Sequence, residues 1–233
     1  MEREIIILAT SAKFQNSCVG GIDAKTGEWI RLVSDNETIG GALTQEMLTY
    51  KNGVQCSPLD KIRVSVVKKV PIAHQPENFL VDITRKFEKI ERVSLEDVLE
   101  IHQIENGSIN VDDFFRNNLP YFDSKEILEI KKSLALIEVK NLKIYRNIWN
   151  KLKVSFEYLE TLYNEISMTD PEYFFINSNL KYNKAIVMLS LGSKPFEQNS
   201  NYYKYVVKIF PLYDKSLFLK DFDLGNIDDE FPF

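Results

Sequence analysis

The chain has only two cysteines, Cys18 and Cys56, and two histidines, His74 and His102. Thiols without a CxxC spacing or a Cys/His cluster make neither a disulfide framework nor a zinc site, so two unpaired thiols in a reducing setting are expected. Nine glycines and eight prolines are too few for a low-complexity or collagen-like chain. Apolar runs are short. Ile5-Ile6-Ile7-Leu8-Ala9 follows Glu2 and Glu4 and falls far below membrane-spanning length or a signal core. A cytoplasmic protein without membrane attachment is therefore expected. Catalytic signatures are missing too: no GxxxxGKS/T, no GxGxxG frame around Gly20-Gly21 or Gly40-Gly41, no GxSxG and no HExxH. No cofactor and no metal is expected. The formal charge of −5 excludes a uniformly basic coat but allows a local basic face.

What is present is mostly strand signal. Ile5 to Leu8 reads as a strand buried on both faces. Cys18–Ile22 and Trp29–Val33 flank Asp23-Ala24-Lys25-Thr26-Gly27, where Asp starts a turn and Gly supplies a positive φ, so the pair reads as a hairpin. Lys61 to Val66 alternates strictly, and Phe79–Ile83 and Phe87–Val93 continue the series. Beyond the middle, Leu134–Val139 and Leu142–Tyr145 slip in alternation near Asn141, as at a bulge. Leu152–Tyr158, Ala185–Leu191 and Tyr203–Ile209 follow. Helical signals cluster between these halves: Ser94 with Asp97, and Asp123 with Glu126, resemble capping boxes, and Asp112–Asn118 suggests a helical turn. The fold class expected is mainly β with helical inserts (α+β), built as two small barrels in one chain.

Charge is uneven. Lys131 to Lys153 holds seven Lys/Arg against one acid, Glu138, whereas Ser94 to Ile130 holds nine acids against two bases. Solvated faces are the bland reading; a basic groove for a polyanion is the sharp one. Trp29 and Arg31 share a strand face where an indole could stack on a base and a guanidinium could meet a phosphate, and Tyr203 with Lys204 offers the same chemistry. The competing reading packs such strand aromatics inward. Both histidines are expected to be structural.

Several strings together carry a family resemblance. Ile7-Leu8-Ala9-Thr10-Ser11-Ala12-Lys13, Cys18-Val19-Gly20-Gly21-Ile22-Asp23 and Thr26-Gly27-Glu28-Trp29-Ile30-Arg31-Leu32-Val33-Ser34 resemble the opening of the dual OB-containing domain. Pro58-Leu59-Asp60, His74-Gln75-Pro76-Glu77-Asn78, Met168-Thr169-Asp170-Pro171 and Leu189-Ser190-Leu191-Gly192 agree with it. Leu32 and Gly20 depart mildly, standing where that family often has Pro and Ala. The resemblance implies two OB-like barrels and a bacterial or phage-related protein of conflict or DNA-processing systems. The organisation expected is a first barrel over 1–93, a connector over 94–130, a second barrel over 131–212 and an acidic, Phe-rich tail over 213–233.

The expected function is a non-enzymatic module for single-stranded nucleic acid or a nucleotide, with Lys13, Trp29, Arg31, Tyr203 and Lys204 as contacts. Two alternatives stand beside it. One is a nucleotide-processing enzyme using Asp23 or Asp170, although Asp170 before Pro171 also reads as a turn cap. The other is an adaptor that docks a protein partner through its C-terminal tail.

Overall fold

The computed structural model describes residues 1–13, 15–104 and 113–212. Its strands are β1 (Glu2–Lys13), β2 (Asn16–Asp23), β3 (Trp29–Val33), β4 (Asp60–Lys69), β5 (Asn78–Val81), β6 (Glu88–Arg92), β7 (Tyr121–Phe122), β8 (Leu134–Arg146), β9 (Leu152–Tyr158), β10 (Thr161–Met168), β11 (Leu180–Leu191) and β12 (Tyr202–Pro211). In the first half β1, β2 and β3 form an antiparallel meander, β3 pairs parallel with β5, β5 pairs with β4, and β4 returns to β1. Five strands thus close a ring, and β6 extends it from β4. The second half repeats this order with β8, β9 and β10, then β12 parallel to β10, then β11 returning to β8. Here β7 adds to β12. Two five-strand Greek-key rings are the architecture implied by the resemblance.

Three cores explain why some strands read as continuous apolar runs. Ile5 and Ile7 of β1 point into the first barrel with Val19, Ile30, Leu32, Ile62 and Val64. Ala135, Ile137, Val139, Val187 and Leu189 fill the second barrel around Phe156 and Phe114. The opposite faces of the same strands make a third core between the barrels: Ile6 and Leu8 meet Leu134, Leu136, Ile186, Met188, Val207 and Phe210. The period-2 geometry of a strand therefore places each residue of these runs in one core or the other.

Glycine permits the close approaches. A Cβ on Gly21 would fall 2.1 Å from the Ile6 carbonyl oxygen, beside the bulge in β1 between Ile7 and Ala9. Gly27 sits at φ +70 in the β2–β3 turn, where the sequence calls for a positive φ.

Helix is scarcer than expected. One α-helix, α1 (Leu95–Ile101), and four 3-10 turns are all the helix among the described residues. Ser94 and Asp97 make both bonds of the capping box, and α1 sets Val98 into the inter-barrel core. Asp123 and Glu126 exchange similar bonds, yet only a 3-10 turn follows (Glu126–Glu129), because Leu128 faces solvent and gives a longer helix no apolar stripe to bury. The turn signalled at Asp112–Asn118 is a 3-10 piece at Asp113–Phe115, with Asp112 outside the described residues. The C-terminal tail, with the adaptor reading that depends on it, also lies outside them. Among the described residues no helix is long and apolar enough to cross a membrane, and both cysteines are free thiols.

Candidate functional site

The outward face of β2 and β3 is where an OB barrel ordinarily meets its ligand. In the first barrel that face is already covered. Trp29 and Arg31 share it, as their spacing predicts, but it turns toward the second barrel. Arg31 is 6% exposed; its guanidinium pairs with Glu77 at 3.4 Å and donates to the Ser133 hydroxyl at 2.6 Å and to Ser190 at 3.3 Å. Glu77 also accepts a hydrogen bond from the Ser133 hydroxyl. The His74–Asn78 segment completes this seam: His74 donates to the Gly192 carbonyl at 3.1 Å and Gln75 to the Leu191 carbonyl at 2.9 Å. Trp29 packs edge-on against His102, ring centroids 4.4 Å apart, and His102 donates to the Gly27 carbonyl at 2.7 Å. Burial lowers both imidazoles below the usual histidine range, which suits the structural roles expected of them. Arg31 and Trp29 therefore join the barrels, and in this arrangement Arg31 offers no donor to a phosphate in solvent.

Lys204 is likewise enclosed. At 2% exposure its amine donates to the Asn117 carbonyl and side-chain oxygens at 2.9 and 3.0 Å and lies 4.2 Å from the centre of the Phe122 ring. Burial pushes the amine down to about 7, against the attraction of Glu126. The unfolded chain keeps this proton up to about pH 10. Between those limits the unfolded state binds more protons, so the group makes stability rise with pH. In Lys204→Met that contribution should vanish, flattening melting temperature between pH 7 and 9.5 relative to the parent. Equal slopes in the two proteins would contradict this placement. Tyr203 on the opposite side of β12 is half-buried against Tyr121 and Phe196, and its hydroxyl accepts from Asn199. Lys13, at the end of β1, donates to the Gly40 carbonyl at 2.6 Å. The five residues singled out in the sequence thus do not converge on one surface.

The two carboxylates of the enzyme alternative are each committed locally. Burial would raise the Asp23 carboxyl, but the amides of Lys25 and Thr26 and the Arg3 guanidinium outweigh it and hold the group below its usual range. Asp170 is 2% exposed, caps a 3-10 turn through the Glu172 amide and pairs with Lys208 at 3.2 Å. Its burial raises the carboxyl despite Lys208. This is the turn cap that Asp170 before Pro171 suggests. No cluster of His, Cys, Asp and Glu suited to a metal ion occurs among the described residues.

One group of unpaired exposed lysines lies on the second barrel, partly within the stretch rich in Lys and Arg. Across β8 and β11, Lys143 stands directly opposite Lys181, and Lys140 opposite Lys184. On the other flank Lys140 faces Glu157, whose carboxylate accepts from Asn141, Lys143 faces Ser155 and Tyr145 faces Lys153. Lys184 is neutralised by Glu138 at 2.7 Å, and Lys153 donates to the Glu165 carbonyl. Lys140, Lys143 and Lys181 are exposed and make no ion pair among the described residues, nor does Lys151 in the neighbouring turn. The β8–β9 turn that ends this face lifts Ile148 and Trp149 into solvent, at 89% and 72% exposure. Arg146 ties that turn to the β10–β11 loop: it donates to the Asn150 carbonyl at 3.2 Å and to the Phe174 carbonyl at 2.6 Å, next to a Phe175 side chain that is 91% exposed. Trp149 is the residue that sequence reasoning passed over. Its signal is an Ile-Trp pair inside an Asn147–Asn150 turn, bracketed by Arg146 and Lys151.

Comparison with known proteins adds the following. No curated protein matches the chain. Among solved structures it is similar to the Ifi202 HINa domain in complex with 20-bp double-stranded DNA, with 10% identity over 91% of this chain and 97% of that one and a TM-score of 0.38. The tetrameric p202 HIN2 gives 7% identity, 91% and 94% coverage, and a TM-score of 0.36. A murine DNA-binding protein bound to double-stranded DNA gives 8%, 91% and 100%, and 0.34. Likenesses this distant carry no ligand or activity across. The family model of the dual OB-containing domain matches residues 3–209, the span that holds both rings and the seam between them. This chain belongs to the dual OB-containing domain family.

Proposed function

We propose that the chain is a nucleic-acid-binding module whose phosphate-contacting surface is the outward lysine face of the second barrel. The observation that carries the reading is the Lys143–Lys181 pair, two like charges directly opposite in adjacent strands with no acid between them. Such a pair destabilises the sheet that holds it, and a polyanion would relieve the repulsion. With the first barrel's β2–β3 face closed by the seam, this outward face of the second barrel stays open to a ligand. Lys140 and Lys151 extend it, whereas Lys13, bonded to Gly40, and Tyr203, beside Gly192 at the other end of β11, stay in the proposal as partly exposed candidates on separate surfaces. Trp29, Arg31 and Lys204 leave it, because their side chains already serve the seam and the second core. Nothing in the arrangement calls for bond-making chemistry, so the reading is binding without catalysis.

The double substitution Lys143→Gln/Lys181→Gln separates binding from folding. Each lost phosphate contact on a single strand should flatten the slope of log affinity against log salt by about 0.7. Relieving the repulsion should leave the melting temperature unchanged or slightly higher. Unchanged affinity and salt slope in the folded variant would remove this face from the site. A nucleotide as ligand is the second outcome to watch: tight binding of a mononucleotide with no gain from longer oligomers would favour it.

A further inference from the structure

The lysine face explains attraction to phosphate but not the apolar tips beside it. Ile148, Trp149 and Phe175 are among the most exposed large apolar side chains described. They sit on two different loops, β8–β9 and β10–β11, which one guanidinium holds together: Arg146 reaches the Asn150, Phe174 and Ile176 carbonyls at once. The β8–β9 turn is fixed internally as well. The Asn147 side-chain oxygen accepts from the backbone amides of Trp149 and Lys151, and the Asn147 side-chain amide donates to Glu165. An exposed indole on a braced turn loses little conformational freedom when it meets a flat partner. Lys151 follows it by two residues, Lys143 stands on β8 three residues before Arg146 with Lys181 opposite on β11, and Glu165, held by Asn147, is an acid bonded to the turn.

Resting on the nucleic-acid reading above, we infer that Trp149 and Phe175 are stacking platforms for unpaired bases, so that the ligand of the lysine face is single-stranded. A paired base has both faces covered by its neighbours in the duplex, whereas an unpaired base leaves a face free to lie on an indole. Charge complementarity decides for this occupant over an apolar protein surface: an aromatic tip bracketed by Arg146 and the unpaired Lys151, at the end of the strand that carries Lys143, fits a ligand that alternates flat rings with phosphates.

The experiment uses the full chain and fluorescently labelled single-stranded and duplex oligonucleotides of one sequence, titrated by anisotropy. Trp149→Ala should lose roughly 5- to 150-fold in single-strand affinity, the usual worth of one stacked base. Duplex affinity and melting temperature should not move, since the indole is solvent-exposed. Phe175→Ala should act in the same direction. In a Trp29→Phe background, where Trp149 is the one remaining indole, single strands should quench its emission and duplex should not. Three results would overturn the inference: unchanged single-strand affinity in Trp149→Ala, equal losses for single strand and duplex, or conversion of an oligomeric parent to monomer by that substitution. If Trp149→Ala is silent while Lys143→Gln/Lys181→Gln still weakens binding, the stacking inference fails and the basic-face reading stands. If the parent binds no oligonucleotide at low salt, both fail.

Discussion

Arg31→Ala should cost about 3–5 kcal/mol of folding stability, the usual penalty for leaving one member of a buried ion pair alone. The substitution strands the Glu77 carboxylate, which is 5% exposed, and takes donors away from the Ser133 and Ser190 hydroxyls. Against a typical total of about 5–15 kcal/mol, that is a large fraction. Urea unfolding at neutral pH measures it. Two further variants distinguish a structural ion pair from a ligand contact. Glu77→Gln alone should be destabilising, and Arg31→Met combined with Glu77→Leu should lose much less than the two single losses added, because neither charge is then left unpaired. A folded Arg31→Ala protein of parental stability but weakened oligonucleotide binding would reverse the assignment and return Arg31 to a ligand site.

Gly21→Ala carries the second large effect, about 3 kcal/mol or more, at the top of the range for overpacking because backbone atoms are what it meets. The added methyl would meet the Ile6 carbonyl oxygen at 2.1 Å and the Ile7 Cα at 3.2 Å, and both are backbone atoms of the ring strand β1. Backbone in a closed ring yields only if the register between β1 and β2 shifts, and that register also sends Ile5 and Ile7 inward and Ile6 and Leu8 outward. The neighbouring position is a control. A methyl on Gly20 would meet the Met188 terminal methyl at 2.8 Å, the far end of a flexible side chain that can rotate away. Gly20→Ala should therefore cost about 1 kcal/mol, within the usual range for modest overpacking. Comparable losses at both positions would show that the inter-barrel core is as unyielding as the ring backbone.

How much of this was legible in the sequence follows from what each signal encodes. Alternation and apolar runs report burial, so β1, β2, β3, β4, β5, β6, β8, β9, β11 and β12 could be placed from them. The slip near Asn141 is a real bulge: Asn141 has φ 51 and the β8–β9 register shifts there. Strand β10 was missed because two cues were masked. Its hairpin turns at Leu159-Glu160, both at positive φ but without the Asn or Gly that would announce such a turn. Its alternation then breaks at Glu165, where φ is 57 and the register jumps between Tyr163 and Ile166. The site was harder to read. Sequence shows that Trp29 and Arg31 share a strand face, but it does not show that a second barrel lies on that face. The same holds for Lys204, whose neighbours Phe122 and Asn117 are remote in the chain. Opposed lysines are invisible for the same reason: Lys143 and Lys181 meet only once β8 and β11 are paired.

The central claim is that the second barrel's lysine face, and not the Trp29/Arg31 face, holds nucleic acid. Its most direct test is a salt series of anisotropy titrations with one labelled single strand, comparing the parent with Lys140→Gln/Lys143→Gln/Lys151→Gln/Lys181→Gln. All four lysines are exposed, so the variant should fold and melt like the parent. The account predicts a slope shallower by up to about 2.8, at about 0.7 per phosphate contact removed. Affinity at low salt should fall at least tenfold. Parental slope and affinity in a folded quadruple variant would contradict it.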